Sequence, residues 1–99
     1  MIQVTAAEII LFVRSLDNRN LKTQAQGKSF TVDLLGDGIV YVPASTGKAR
    51  PHGAKWLSRF CEEFSRTNSL RPGDYTQVTV NSAYALALVS ALLKSQRTS

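Results

Sequence analysis

The sequence predicts an α+β fold: a small, mostly antiparallel sheet packed on one face by three helices, in the order α-β-β-β-α-β-α. Three observations lead to it. A capping-box pattern, Thr5 with Glu8 three residues later, opens an apolar periodic stretch. From Leu21 the apolar period becomes two, broken by the turn signal Gly36-Asp37-Gly38. Two further runs with helical character, Ala54 to Arg66 and Ala83 to Leu93, follow on either side of a turn-rich segment.

The first helix is expected to start after Thr5, with Val4 and Ile9 as a hydrophobic staple, and to stop around Asp17-Asn18. Its apolar face would be Ile9, Leu11, Phe12, Val13 and Leu16. Arg14 and Arg19 suit the negative end of its dipole and need no other role. Leu21, Thr23 and Ala25 make a short, weak strand, and Phe30, Val32 and Leu34 a clearer one. Ile39 to Val42 is wholly apolar and reads as a strand covered on both faces, so these three form a meander. Pro43 closes it, and Ala44 to Gly53, with two glycines, Pro51 and no large apolar residue, is expected to be an exposed loop.

In the second helix Trp56, Leu57, Phe60, Cys61 and Phe64 share one stripe, opposite Lys55, Arg59, Glu62, Glu63 and Arg66. Arg71-Pro72-Gly73-Asp74 is a turn, and Tyr75 to Val80 alternates as a possible fourth strand. Asn81 or Ser82 then caps a third helix in which ten of the eleven residues from Ala83 to Leu93 are apolar. A helix apolar all round is a central one, with homodimerisation through 82–94 as the alternative use of its surface. The domain is expected to span 1–94, with a flexible polar tail at 95–99.

Composition narrows the function. A chain of 99 residues holds one core, and the formal charge of +5 favours an acidic partner. Cys61 is the only cysteine, which rules out an internal disulfide or a cysteine-based zinc site and fits a reducing, cytoplasmic compartment. No secretory signal is visible, and the apolar run Ala83 to Val89 is far short of the roughly 20 residues that span a bilayer, so no membrane role is expected.

Between Asp37 and Glu62 there is no acidic side chain, while Lys48, Arg50, Lys55 and Arg59 all fall there. Ser45-Thr46-Gly47-Lys48 invites comparison with a phosphate-binding P-loop. The glycine that motif places four intervening residues before its Gly-Lys pair is missing, Val42 standing there, and Ala49 stands where Ser or Thr should follow the lysine. Nucleotide hydrolysis is therefore not expected. A looser anion site remains: hydroxyls from Ser45 and Thr46, close approach at Gly47, charge from Lys48 and Arg50, and the free N–H groups of the following helix.

His52, Lys55 and Arg59 extend that surface, with Lys22 and Lys28 as flanks on the sheet. His52 is the only histidine and has no second ligand cluster, so neither a metal nor another cofactor is expected. Cys61 lies on the apolar stripe and reads as an inert core thiol. Trp56 and Phe60 read as core, and Tyr41 and Tyr75 as partly exposed. No acid/base pair, metal cluster or activated nucleophile can be assembled, so an enzyme is not expected. The leading expectation is a small basic nucleic-acid-binding protein or domain that contacts phosphates through the 45–59 surface. The alternative is a protein-interaction or inhibitor module that docks the same patch on an acidic partner protein.

Overall fold

The computed structural model describes residues 2–17, 19–24 and 26–97. Its elements are α1 (Ala6–Ser15), β1 (Asn20–Lys22), β2 (Ser29–Leu35), β3 (Gly38–Pro43), β4 (Arg50–His52), α2 (Ala54–Thr67), a 3-10 turn (Pro72–Tyr75) and α3 (Ser82–Arg97). The four strands form one antiparallel meander, β1-β2-β3-β4. This is the α+β class that the sequence predicts, in the order α-β-β-β-β-α-α.

The capping box opens α1 as expected. Thr5 Oγ1 accepts from the Glu8 N–H and Glu8 Oε1 from the Thr5 N–H, both at 3.2 Å. Ile9 and Val13, one turn apart, are its buried residues, while Leu11 faces solvent instead of the core. The helix is capped at Leu16, just short of the expected stop, of which Asn18 lies outside the described residues. Ala25, the expected end of the first strand, lies outside them too, and β1 ends at Lys22. β2 and β3 are joined by the two residues Gly36-Asp37. Gly36 has φ +58°, the positive value that a tight hairpin of this kind needs at its first loop position.

The fourth strand is not where the alternation at Tyr75–Val80 puts it. Pro72 starts a 3-10 turn there, and the N–H groups of Val78 and Thr79 both donate to the Tyr75 carbonyl at 2.9 Å. Those local bonds use the donors a strand would offer a neighbour. Tyr75 is buried, not partly exposed. It packs against Phe60 with ring centroids 4.9 Å apart, and its hydroxyl donates to the Ser69 carbonyl at 2.6 Å.

β4 instead arises inside the expected loop, with Ile39 opposite His52 and Tyr41 opposite Arg50. Pro51 has no N–H and is tolerated because the strand lies at the sheet edge. The amide nitrogen of Asn81 donates to the Pro51 carbonyl at 3.2 Å, which occupies an acceptor on this strand. The close return of the chain at this point depends on Gly38. A Cβ built there would lie 2.4 Å from the His52 carbonyl oxygen and 3.0 Å from the Ala54 nitrogen.

The core is built from residues of all three helices and the strands β2 and β3. Ile9, Phe30, Tyr41, Leu57, Phe60, Phe64, Leu86 and Leu88 are among its fully buried members. β3 is less covered than expected: Ile39 and Tyr41 are buried, while Val40 and Val42 on its other face are half-buried. Tyr41, expected near the surface, is one of the most buried rings.

α3 is central. Ala85 to Val89 and Leu92 are buried, and none of the large exposed apolar side chains lies on this helix. It continues through Arg97, so residues 95–97 are helical and not a tail; Thr98 and Ser99 lie outside the described residues. No helix among the described residues is long and apolar enough to cross a membrane.

Cys61 is buried on α2 as expected. Burial, with smaller contributions from Glu8 and Glu62, pushes its pKa up to about 12, so the thiol stays protonated at neutral pH.

Candidate nucleic-acid interface

The acid-free window from Gly38 to Cys61 folds into β3, a hairpin loop, β4 and the first half of α2. Ser45, Thr46, Gly47 and Lys48 are exposed in the loop. Gly47 has φ +65° and donates its N–H to the Pro43 carbonyl at 2.8 Å, and Thr46 Oγ1 accepts from the Lys48 N–H at 3.3 Å. The loop does not run into α2, however. At about 3.3 Å per residue, the three residues of β4 separate it from the helix start by roughly 10 Å of extended chain. The expected single anion site, loop plus helix N-terminus, is therefore divided in two.

Arg50 goes with one part. Its guanidinium carbon lies 5.5 Å from the centroid of the Tyr84 ring on α3. Arg50, Lys28 and Tyr84 line a cavity of about 300 Å³ together with Thr23, Gln24 and Gln26. This joins Arg50 to Lys28, which the sequence offers only as a flank. Lys22 is exposed on β1 and does not line that cavity.

Lys55 and Arg59 go with the other part, gathered on Trp56. Trp56 is 46% exposed, with Arg59 Cζ 4.9 Å and Lys55 Nζ 5.6 Å from its ring centroid. The expectation of a core tryptophan is thus corrected. At 3.6 residues per turn, Trp56 lies about 90° from the centre of the stripe Leu57, Phe60, Cys61 and Phe64, so it marks the stripe's edge. Arg59 turns to this ring and away from its neighbouring carboxylates, while Glu63 pairs with Arg66 one turn further on. The lysine before Trp56 and the arginine three residues after it are the signal that could have flagged an exposed ring.

His52 is not a surface contact. It is 2% exposed, with Nδ1 3.0 Å from the Tyr41 hydroxyl. Among the described residues the hydroxyl has no other acceptor, so its hydrogen goes to Nδ1 and the imidazole proton sits on Nε2. That tautomer leaves the fewest unmatched groups. The imidazole's bond is thus to a tyrosine, and no His–Cys pair with Cys61 forms.

Burial lowers the imidazole pKa below its ordinary 6.5, and the Trp56 backbone offsets only part of this. The sign of the pH effect follows. The unfolded chain takes up a proton near pH 6.5 and the folded one only at lower pH, so acid favours unfolding. Urea melts are expected to show stability constant above about pH 7 and declining below 6.5, by at most about 1.4 kcal/mol per pH unit. The decline ends at the lower, folded-state pKa. A His52→Gln variant that kept the same decline would show that another group causes it.

His52 lines a second cavity of about 340 Å³, with Pro51, Gly53, Trp56, residues 76–80 and Asn81. Gly53, the N-cap of α2, makes no side-chain cap bond, and it lines this cavity together with Trp56 of the first turn. Asn81 was expected only as a helix cap. Its carbonyl does accept from the Ala85 N–H at 3.0 Å, but its side chain is turned to β4.

Val80, 81% exposed, lines both cavities, and no residue lining either one is acidic. With Val80 shared between them, the two cavities are taken together as one strip: Lys28, Arg50 and Tyr84 line the first, and Trp56, with Lys55 and Arg59 against its ring, lines the second. Among the described residues no group of three metal-ligating side chains comes together. No family model, curated protein or solved structure matches the chain, so the strip itself is what its chemistry must be read from.

Proposed function

We propose that this is a small nucleic-acid-binding protein of the cytoplasm, which lays a strand along the strip from Lys28 to Arg59. The observation that carries the reading is the acid-free pair of adjoining cavities, with cations at both ends and an exposed tryptophan between cations at one. Cations neutralise phosphates and release counterions, and a ring beside them offers a stacking surface for a base. Arg59 and Lys55 then exchange the Trp56 ring for phosphate oxygens as a base takes their place. A lone, buried, protonated thiol is consistent with a reducing compartment.

Lys28, Arg50, Lys55 and Arg59 supply four phosphate contacts. The expected result is binding at low salt with a slope of log affinity against log salt of about −3, since each contact to a single strand contributes about −0.7. Fluorescence of Trp56, the only tryptophan, reports the titration directly. A flat salt dependence, or no binding at low salt, overturns the reading. Equal competition by polyglutamate would favour an acidic protein partner instead.

A further inference from the structure

We infer that the cavity beside Trp56 receives one unpaired nucleobase, so that the protein selects single strands over duplex. The inference rests on the nucleic-acid reading and goes further, because it names which form of nucleic acid and which group enters.

It starts from two buried, unmatched atoms on residues that line one cavity. His52 and Asn81 are 2% and 5% exposed, and both line the space of about 340 Å³ beside Trp56. Neither His52 Nε2 nor Asn81 Oδ1 has a hydrogen-bond partner. Buried polar atoms left without one are uncommon in natural folds, and each needs a physical account. The bonds these side chains do make fix their character. Tyr41 occupies His52 Nδ1, which leaves Nε2–H as a donor. The Asn81 amide nitrogen is committed to the Pro51 carbonyl, which leaves Oδ1 as an acceptor. A buried donor and a buried acceptor thus belong to residues that line a cavity also walled by an aromatic ring.

That combination discriminates among ligands. A phosphate or carboxylate would set its oxygens against Oδ1, an acceptor meeting an acceptor. A neutral base has donors and acceptors side by side on its pairing edge, and enzymes that extrude a base read it by that edge and by stacking. In a duplex the same edge is already occupied. The volume lies at the low end of the range of small-ligand pockets, roughly 300–1,000 Å³. Charge stands outside the pocket, where the strand's phosphates would be: Lys55 and Arg59 on one side and, past Val80, Arg50 on the other.

The test uses the intact chain and four probes of matched length: oligothymidylate, the same strand with N3-methylthymine, an abasic strand, and a duplex. Methylation at N3 removes the donor that would meet Oδ1 but leaves the ring able to stack. The unmodified strand is expected to quench Trp56 and to bind at least about tenfold more tightly than the methylated strand or the duplex. The abasic strand should bind weakly and leave the fluorescence unchanged. If the methylated and unmodified strands bind equally, the base pocket is overturned, its unmatched atoms hold only water, and the phosphate reading stands. Tighter binding to duplex also overturns the pocket alone. If no probe binds at low salt, the nucleic-acid reading falls and this inference falls with it.

Discussion

Replacing Gly38 by alanine is expected to lower the melting temperature by roughly 10 °C or more. The added Cβ would lie 2.4 Å from the His52 carbonyl oxygen, which real Cβ atoms essentially never approach, and 3.0 Å from the Ala54 nitrogen. Both neighbours are backbone, one in β4 and one at the start of α2, so neither can swing aside as a flexible side chain would. Relief requires β4 to move off β3. Overpacking of this kind typically costs about 1–3 kcal/mol, and loss of β4 pairing adds to it. For a domain of this size each kcal/mol shifts the melting temperature by roughly 4–8 °C. Gly73 is the control: a Cβ there meets nothing within 4 Å and its φ is ordinary, so Gly73→Ala should stay within about 0.5 kcal/mol of the parent. An unchanged melting temperature for Gly38→Ala would show that β4 does not pack against β3 as described.

Trp56→Ala and Arg59→Ala are expected to weaken binding to a single strand, the first by about tenfold or more. Loss of a stacking ring costs about 1–3 kcal/mol per base, and loss of one phosphate contact also flattens the salt slope by roughly 0.7. Trp56→Ala should leave that slope unchanged, because the ring carries no charge. A labelled oligonucleotide replaces tryptophan fluorescence as the readout for this variant. Both side chains are exposed, so neither substitution should unfold the protein.

Lys48→Ala and Arg66→Ala remove the same charge away from the strip. Lys48 lies in the hairpin loop and Arg66 pairs with Glu63. Both should change affinity less than about twofold. If all the charge-removing variants weaken binding alike, only net charge matters and there is no strip. If Lys48→Ala stands with Arg59→Ala, the hairpin loop belongs to the interface.

Much of the fold was legible in the residues because its signals are local. The Thr5–Glu8 box, the change to strand at Leu21 and the Gly36-Asp37 turn each depend on a few neighbouring residues; the box and the turn form as read, and the strand at Leu21 forms but ends at Lys22. The acid-free window was legible too, since it is a property of the chain alone. The candidate site was only half legible. Lys55 and Arg59 gather on the Trp56 ring, Arg50 lines a cavity with Lys28 and Tyr84, and Lys48 lies in the hairpin loop. His52 leaves the surface for a buried bond to Tyr41.

What the sequence determined by itself was therefore the α+β class, most element boundaries, the apolar stripes and the charge balance, all set by conformational preferences within a turn or two. The tertiary structure alone decided the remainder. Arg50-Pro51-His52 has no intrinsic strand preference and becomes one because the edge of β3 is open to it. Trp56 turns outward because the stripe of α2 centres on Leu57, Phe60, Cys61 and Phe64 when the helix meets the sheet. Asn81 reaches Pro51 across 30 residues of chain, which brings it beside His52 in the lining of one cavity. Contacts between segments so far apart depend on how whole elements pack, and no local pattern encodes them.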